Sequence, residues 1–364
     1  MKGVLVKVLI ALSLLSCLIA QPTLASEVDF SGKKINIVVP FKEGGGTDTY
    51  ARLFGPFLSK YLPGNPTVLV RNEPGGGSVT AANKFHTRTK PDGLTIFAVS
   101  SSTYTNFVIG GPKIKFDMLA WNPIILSPIG TIYYAASTTG IKGKDSVEDV
   151  KTLQKTPVIY GANNPTSVQL GNIIGYELMG MEQLKVIFGL STGEKRQAII
   201  RGELNLGGDT INTYMKSTMP FVEKGQIVPF CTMGYGTPDG KIIRDPNYPD
   251  MMTMLELAEI VTGEKPSGPK LQAFENFVHM NVTAAKSLVL PPDTPEEIRT
   301  VYVDAIKKVI EDPEFRKLAS SFVGVYPQYY GNDAKQIMKL ATDMKPEAKE
   351  WLKKWVKDRF DVEI

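Results

Sequence analysis

The stretch Ile35-Asn-Ile-Val-Val-Pro-Phe-Lys-Glu-Gly-Gly-Gly-Thr-Asp-Thr-Tyr-Ala-Arg52 decides the fold. Ile35 to Val39 reads as a short buried strand, Gly44–Gly46 as a tight turn, and the residues from Thr47 and Asp48 onward as a helix. The start of a helix exposes backbone N–H groups that have no partner within the helix, together with the positive end of the macrodipole. Glycines ahead of it allow a ligand to approach the backbone closely. The arrangement suits an anion.

Working outward, the pattern repeats. Thr67–Val70 and Leu94–Val99 read as further strands. Between the first two, Tyr50, Leu53, Phe54, Phe57, Leu58, Tyr61 and Leu62 fall on one helical face, which is the pattern of a helix laid on a sheet. Gly55-Pro56 is expected to kink or interrupt that helix near Arg52. Ile124–Tyr134 reads as a strand crossing between two lobes. A second βα region follows, with strands at Val158–Tyr160 and Lys185–Phe188 and helices near 167–179 and 194–201. Ile227–Thr232 reads as a return strand, and Gly234–Pro249 as a long surface connection. The C-terminal part reads as helical. Thr294-Pro295-Glu296-Glu297 has the form of a capping box, and Pro346 opens a last helix bearing Trp351 and Trp355. Alternating strands and helices point to an α/β fold with mostly parallel sheets.

Residues 1–25 have the layout of a secretory signal. Lys2 and Lys7 precede an apolar run from Val8 to Ala20, and Thr23-Leu24-Ala25 resembles a cleavage site. That run is shorter than the roughly 20 residues of a membrane span. Leu14-Leu15-Ser16-Cys17 loosely resembles a lipoprotein box, but Leu15 and the apolar Leu18-Ile19 fit it poorly. The expected location is therefore the periplasm, as a soluble protein. Cleavage lowers Lys+Arg from 41 to 39 against 37 acidic residues, for a net charge of +2. This balance excludes the broad basic field that nucleic acid requires. Cys231 would be the one remaining cysteine, so the mature fold depends on its core and not on a disulfide.

The candidate site is a set of polar turns at strand ends, where ligands of open α/β sheets lie. The first lobe contributes Phe41, Gly44, Gly45, Gly46, Thr47 and Asp48, joined by Ser100, Ser101 and Ser102. The second contributes Asn164, Thr166 and Ser167, then Ser191, Thr192 and Gly193, then Asp209 and Thr210. Signals for catalysis are weak. His86 and His279 have no partner at metal-ligand spacing, Cys231 sits in an apolar run, and there is no Gly-x-Ser-x-Gly elbow. No cofactor and no metal are expected. The competing reading is an exported α/β enzyme with a nucleotide-like cofactor at Gly44–Gly46, in which Glu73 would bind a ribose. Against it, Thr49 replaces the third glycine of the dinucleotide fingerprint.

Taken in order, these motifs resemble the Bug family of extracytoplasmic solute receptors from tripartite tricarboxylate transporters. The resemblance rests on Val39-Pro40-Phe41 with Gly44–Asp48 and Ala51-Arg52, then Val70-Arg71-Asn72-Glu73-Pro74-Gly75 and Pro91-Asp92-Gly93-Leu94-Thr95. Gly202-Glu203-Leu204, Leu290–Pro295 and Asp312-Pro313-Glu314-Phe315-Arg316 continue it. It implies a two-lobed, type II-like periplasmic binding fold closing on a small carboxylate, which is delivered to a membrane permease. It also implies that the first turn and the second-lobe turns hold the carboxylates through backbone N–H groups, hydroxyls and water. The chain departs from the family at Val186-Ile187-Phe188, where Val-Pro-Tyr is usual, and at Asn205, where aspartate is usual. The combined expectation is a monomeric, non-enzymatic receptor with lobes at 27–130 plus 241–364 and at 131–240.

Overall fold

The computed structural model describes residues 28–323 and 326–364; the expected export segment lies outside them. Two five-stranded sheets organise the chain. The first has the order β2-β1-β3-β12-β4, with β1 Lys34–Val39, β2 Thr67–Asn72, β3 Thr95–Ser100, β4 Asn122–Ser127 and β12 Lys286–Leu290. The second has the order β7-β6-β8-β5-β9, with β5 Thr131–Ala136, β6 Ile159–Gly161, β7 Lys185–Ile187, β8 Leu206–Thr210 and β9 Ile227–Thr232. In the first sheet β1 pairs in parallel with β2 and β3, and β12 runs antiparallel to β3 and β4. In the second, β6 pairs in parallel with β7 and β8, and β5 runs antiparallel to β8 and β9. Each sheet is therefore mixed, with one reversed strand among four that run the same way.

Helices cover both sheets: α1 Gly46–Tyr61, α2 Val79–Arg88 and α3 Ser101–Ile109 in the first region, and α4 Ser146–Gln154, α5 Gln169–Leu178 and α6 Thr192–Ile200 in the second. Tyr50, Phe54, Phe57 and Leu58 of α1 are buried, each contributing about 1.5–3 kcal/mol relative to exposure. That packing carries α1 straight through Pro56, contrary to the interruption expected there. Gly55 faces Val68 and Val70 of β2.

The long apolar run is two strands. Pro128, Ile129 and Gly130 carry the chain from β4 of one sheet into β5 of the other. Only glycine fits at 130, because a Cβ there would fall 2.0 Å from both Asp245 Oδ2 and Tyr326 Oη. The Gly234–Pro249 segment is less superficial than its composition suggests. It pairs β10 Tyr235–Gly236 with β11 Ile242–Ile243 and buries Asp245 under the Tyr326 hydroxyl.

Two helices that follow, α7 Met254–Thr262 and α8 Gly268–Val278, lie in the sequence range expected for the first lobe, yet both pack on α5 of the second sheet. Small residues allow this approach: a Cβ at Gly171 would meet Phe277 at 2.5 Å, and one at Gly175 would meet Met254 Sδ at 2.4 Å. Toward the C-terminus follow α9 Glu296–Glu311, α10 Pro313–Val323, α11 Gly331–Thr342 and α12 Pro346–Phe360. The expected capping box at α9 does not form, because Thr294 Oγ1 donates to the Pro291 carbonyl at 2.8 Å instead. The C-terminal α12 docks on α8, with Trp355 Nε1–H donating to Glu177 at 3.0 Å.

Candidate functional site

The carboxyl ends of both sheets meet at the crossing. Ser127 ends β4 and Ser100 ends β3, and Lys286 of β12 lies between them in register with both. Just beyond the crossing, Thr131 of β5 pairs with Thr210, the end of β8. The turn 279–283 before β12 touches α3, and Asn281 Nδ2 donates to the Val168 carbonyl at 2.9 Å, so the β6–α5 turn reaches the same place. These contacts bring the ends of β3, β4 and β8 and the β6–α5 turn together at the crossing, where the candidate cleft lies.

On its first side, Gly44–Gly46 are exposed while Thr47 and Asp48 are buried. Gly44 adopts φ +77°, a conformation that side chains disfavour. The N-cap is Gly45, so no side chain caps α1 and its first-turn N–H groups stay open. Asp48 is what shapes this turn. Its carboxylate accepts from Gly44 N–H at 2.9 Å, Arg52 Nε at 3.0 Å and Asn72 Nδ2 at 2.9 Å. Burial pushes its pKa up, but these hydrogen bonds outweigh it and hold the group below the ordinary value. The carboxylate is thus committed to the protein, and Phe41 joins the same network by accepting from Asn72 at 3.0 Å through its carbonyl. Ser100 and Thr103 face each other in a capping box at the start of α3, with Ser100 N–H donating to Thr103 Oγ1 at 3.5 Å. Ser101 and Ser102, half-buried, form the first turn of α3.

Sequence reasoning missed Lys286. Directly opposed residues of antiparallel strands share a face, so Lys286, Ser100 and Ser127 point to the same side of the sheet. That side carries α1, since Tyr50 Oη pairs with Ser127 Oγ at 2.6 Å and a Cβ at Gly46 would lie 3.9 Å from Lys286 Cε. Its ammonium stands in a crevice beneath the glycine turn, where desolvation pushes the pKa down to about 8. Among the described residues no carboxylate pairs with it. Its only signal in the sequence was a lysine at the head of a strand, and that strand was not recognised before Leu290-Pro291.

Across the cleft, Asp209 is buried and already occupied. It accepts from Arg196 at 3.0 Å, Tyr134 Oη at 2.8 Å and Thr218 Oγ1 at 2.6 Å. Thr210 is exposed and bonds Thr213 at 3.0 Å. Asn164 Oδ1 accepts from Thr166 N–H at 2.9 Å, and the Asn164 carbonyl from Ser167 Oγ at 2.7 Å, which makes a self-contained turn. Ser191, Thr192 and Gly193 are exposed at the start of α6, where Ser191 N–H donates to Glu194 at 2.7 Å. Lys195, in the same turn, lays its stem against Gly161 and reaches Asn163 Oδ1 at 3.3 Å. Desolvation lowers its pKa to about 8, opposed in part by Asp209 and aided by Arg196. Asn205 ties β6 to β8 by accepting from Ile159 N–H at 2.6 Å.

Hollows also lie elsewhere; one of about 340 Å³ is lined by Gln272, His279 and Lys339 and by none of the candidate residues. The strand ends at the crossing bring Lys286 beside Ser100 and Ser127, close to the Gly46 turn, so they are the better candidate. The ribose acid of the cofactor reading, Glu73, is paired with Lys84 at 2.8 Å. Cys231 is fully buried, with its thiol pKa pushed well up. His86 accepts from Trp121 Nε1–H at 3.2 Å. Among the described residues no group of His, Cys, Asp and Glu could hold a metal, and no helix is long and apolar enough to cross a membrane.

Comparison with known proteins bears out the resemblance to Bug-type receptors. A Cupriavidus necator protein described as the UPF0065 protein in the gbd 5′ region is 26% identical over 320 residues, covering 84% of this chain and 83% of its own length. The periplasmic binding protein BugD aligns with a TM-score of 0.56 at 18% identity, covering 89% of this chain and 97% of BugD. A Rhodopseudomonas palustris protein solved with adipate aligns with a TM-score of 0.59 at 17% identity, covering 91% and 98%. No protein-family model matches the chain. The structural likenesses establish the α/β fold with two mixed sheets; the neighbour BugD is a binding protein.

Proposed function

We propose that this relative of the Bug-type receptors is a periplasmic solute receptor that captures a small carboxylate and delivers it to a tripartite tricarboxylate-type permease. The observation that carries the reading is the uncapped start of α1 over the unpaired Lys286 ammonium, at the carboxyl ends of the first sheet. Open N–H donors and a desolvated cation stabilise a carboxylate. The receptor is non-enzymatic and monomeric. Its two lobes, each built on one of the two sheets, close on the ligand by bending at the strand crossings, and binding selects the closed form.

In this reading Gly44–Gly46 and the N–H groups of Thr47 and Asp48 cradle one carboxylate, with Ser100–Ser102 beside it. The exposed Ser191–Gly193 and Thr210, with Asn164–Ser167, close over the far end. Asp48 and Asp209 shape the two sides without touching the ligand. Residues 26–364 tested by thermal shift against mono-, di- and tricarboxylates, with nucleotides alongside, decide the matter. A ligand at a hundredfold excess over its Kd stabilises the folded state by about 2.7 kcal/mol. A shift with carboxylates supports the receptor. A shift with nucleotides alone would sink it in favour of a cofactor-using enzyme.

A further inference from the structure

We propose that the open face of the first sheet is a docking surface for an acidic polypeptide segment of a partner protein. The inference goes beyond the receptor reading and uses none of the residues assigned to the candidate site, so the two stand or fall separately. In β1, Ile35, Ile37 and Val39 are fully buried on the side of α1, which turns Lys34, Asn36 and Val38 to the opposite face. Register sets Arg71 beside Val38 and Thr95 beside Asn36. Leu69, also beside Asn36, is 43% exposed, so α2 leaves part of this face uncovered. Between α2 and these strands lies a groove of about 400 Å³. Lys34, Arg71, Lys84, Arg88 and Lys90 line it, and its acids are Glu73 and Asp92.

The lining therefore carries a net charge of +3, against +4 for the entire chain. Glu73 is committed to Lys84 at 2.8 Å, and Asp92 accepts from Leu94 N–H at 3.0 Å. Lys34, Arg71, Arg88 and Lys90 are exposed and, among the described residues, their side chains make no hydrogen bond or ion pair. An exposed cation gains little from one small ion, so the groove suits a partner that presents several carboxylates at once. A membrane surface fits less well. The cations line a concavity, and the one aromatic among the lining residues, Phe85, is buried and cannot anchor at headgroups. An extended acidic segment fits, because its carboxylates reach the basic walls while apolar side chains meet Val38, Leu69 and Leu94. β2 is also the edge of the sheet, where an extended segment finds backbone groups to pair with.

The test is fluorescence anisotropy of residues 26–364 with a labelled peptide of alternating glutamate and valine, about as long as β2, and with its glutamine counterpart. The glutamine peptide should bind at least about tenfold more weakly. Binding of the glutamate peptide should weaken several-fold as salt rises from about 0.01 to 0.15 M and the screening length falls from about 30 to 8 Å. Arg71→Glu/Arg88→Glu should weaken it at least about tenfold. Lys144→Glu/Lys155→Glu, an equal change of charge on exposed lysines flanking α4, should leave it within about twofold. Equal losses in the two double variants would overturn the groove in favour of net charge. No binding of the glutamate peptide would overturn the proposal, in favour of a membrane surface if phosphatidylglycerol vesicles then retain the protein through Arg71 and Arg88. The salt and glutamine comparisons decide on the wild type even if a reversal variant fails to fold.

Discussion

Replacing Lys286 with methionine should push stability and binding in opposite directions. The stem is preserved, and what is lost is an ammonium whose pKa falls from 10.5 to about 8 through desolvation alone. At 1.36 kcal/mol per unit that drop corresponds to about 3 kcal/mol. Water in the open cleft reaches the group, which brings the expected cost of the charge to about 1–3 kcal/mol. The sign follows from linkage. A folded pKa below the unfolded one means that the unfolded chain holds more protons between about pH 8 and 10.5. The penalty is therefore fully present below about pH 8 and fades as the pH rises toward 10.5. Lys286→Met should make the unliganded protein about 1–3 kcal/mol more stable at pH 7 in urea unfolding, with the gain vanishing near pH 10.5. The same variant should lose about 1.5–3 kcal/mol of carboxylate binding. A variant less stable than wild type at pH 7, or a gain unchanged across that pH range, would refute the assignment of Lys286 as an unpaired cation waiting for a ligand.

The shaping residues give further expectations. Asp48→Ala should cost about 1–3 kcal/mol by orphaning the Gly44 N–H, Arg52 and Asn72. Because the Asp48 pKa is lowered, its contribution should be present above about pH 4 and be lost as the pH falls through the lowered value, which urea midpoints against pH would follow. Arg196→Met should cost about 3–5 kcal/mol by leaving the buried Asp209 uncompensated, with recovery in the double variant Arg196→Met/Asp209→Leu. Gly171→Ala should cost about 1–3 kcal/mol by overpacking against Phe277, measured as a lower urea midpoint.

Much of the fold was legible because its strands are bounded by strong punctuation. β1, β6 and β9 match their expected positions within a residue or two, since apolar runs there end abruptly in Gly, Pro or polar turns. β12 was hidden: Lys286-Ser-Leu-Val-Leu290 is five residues long, and its partners β3 and β4 lie more than 150 positions earlier. Local pattern carries no trace of such pairing. The docking of α7 and α8 on α5 was hidden for the same reason, because it depends on Gly171 and Gly175 facing Phe277 and Met254. At the candidate site, the glycine turn and the helix start after it were legible as structure. What sequence could not give was the division of labour within it. Asp48 and Asp209 look like ligand contacts in one dimension, but in three Asp48 is held by Arg52 and Asn72, and Asp209 Oδ2 by Arg196 and Thr218. Nothing in the sequence sets Lys286 and Lys195 apart from other lysines; the fold places one under Gly46 and the other against Gly161.

The most direct measurement is a crystal structure of residues 26–364 with the carboxylate that binds best. The account predicts one carboxylate oxygen within about 2.7–3.1 Å of Lys286 Nζ and of the first-turn N–H groups of α1, between the two sheets. A carboxylate bound elsewhere, such as in the hollow lined by Gln272 and His279, with Lys286 untouched, would contradict it.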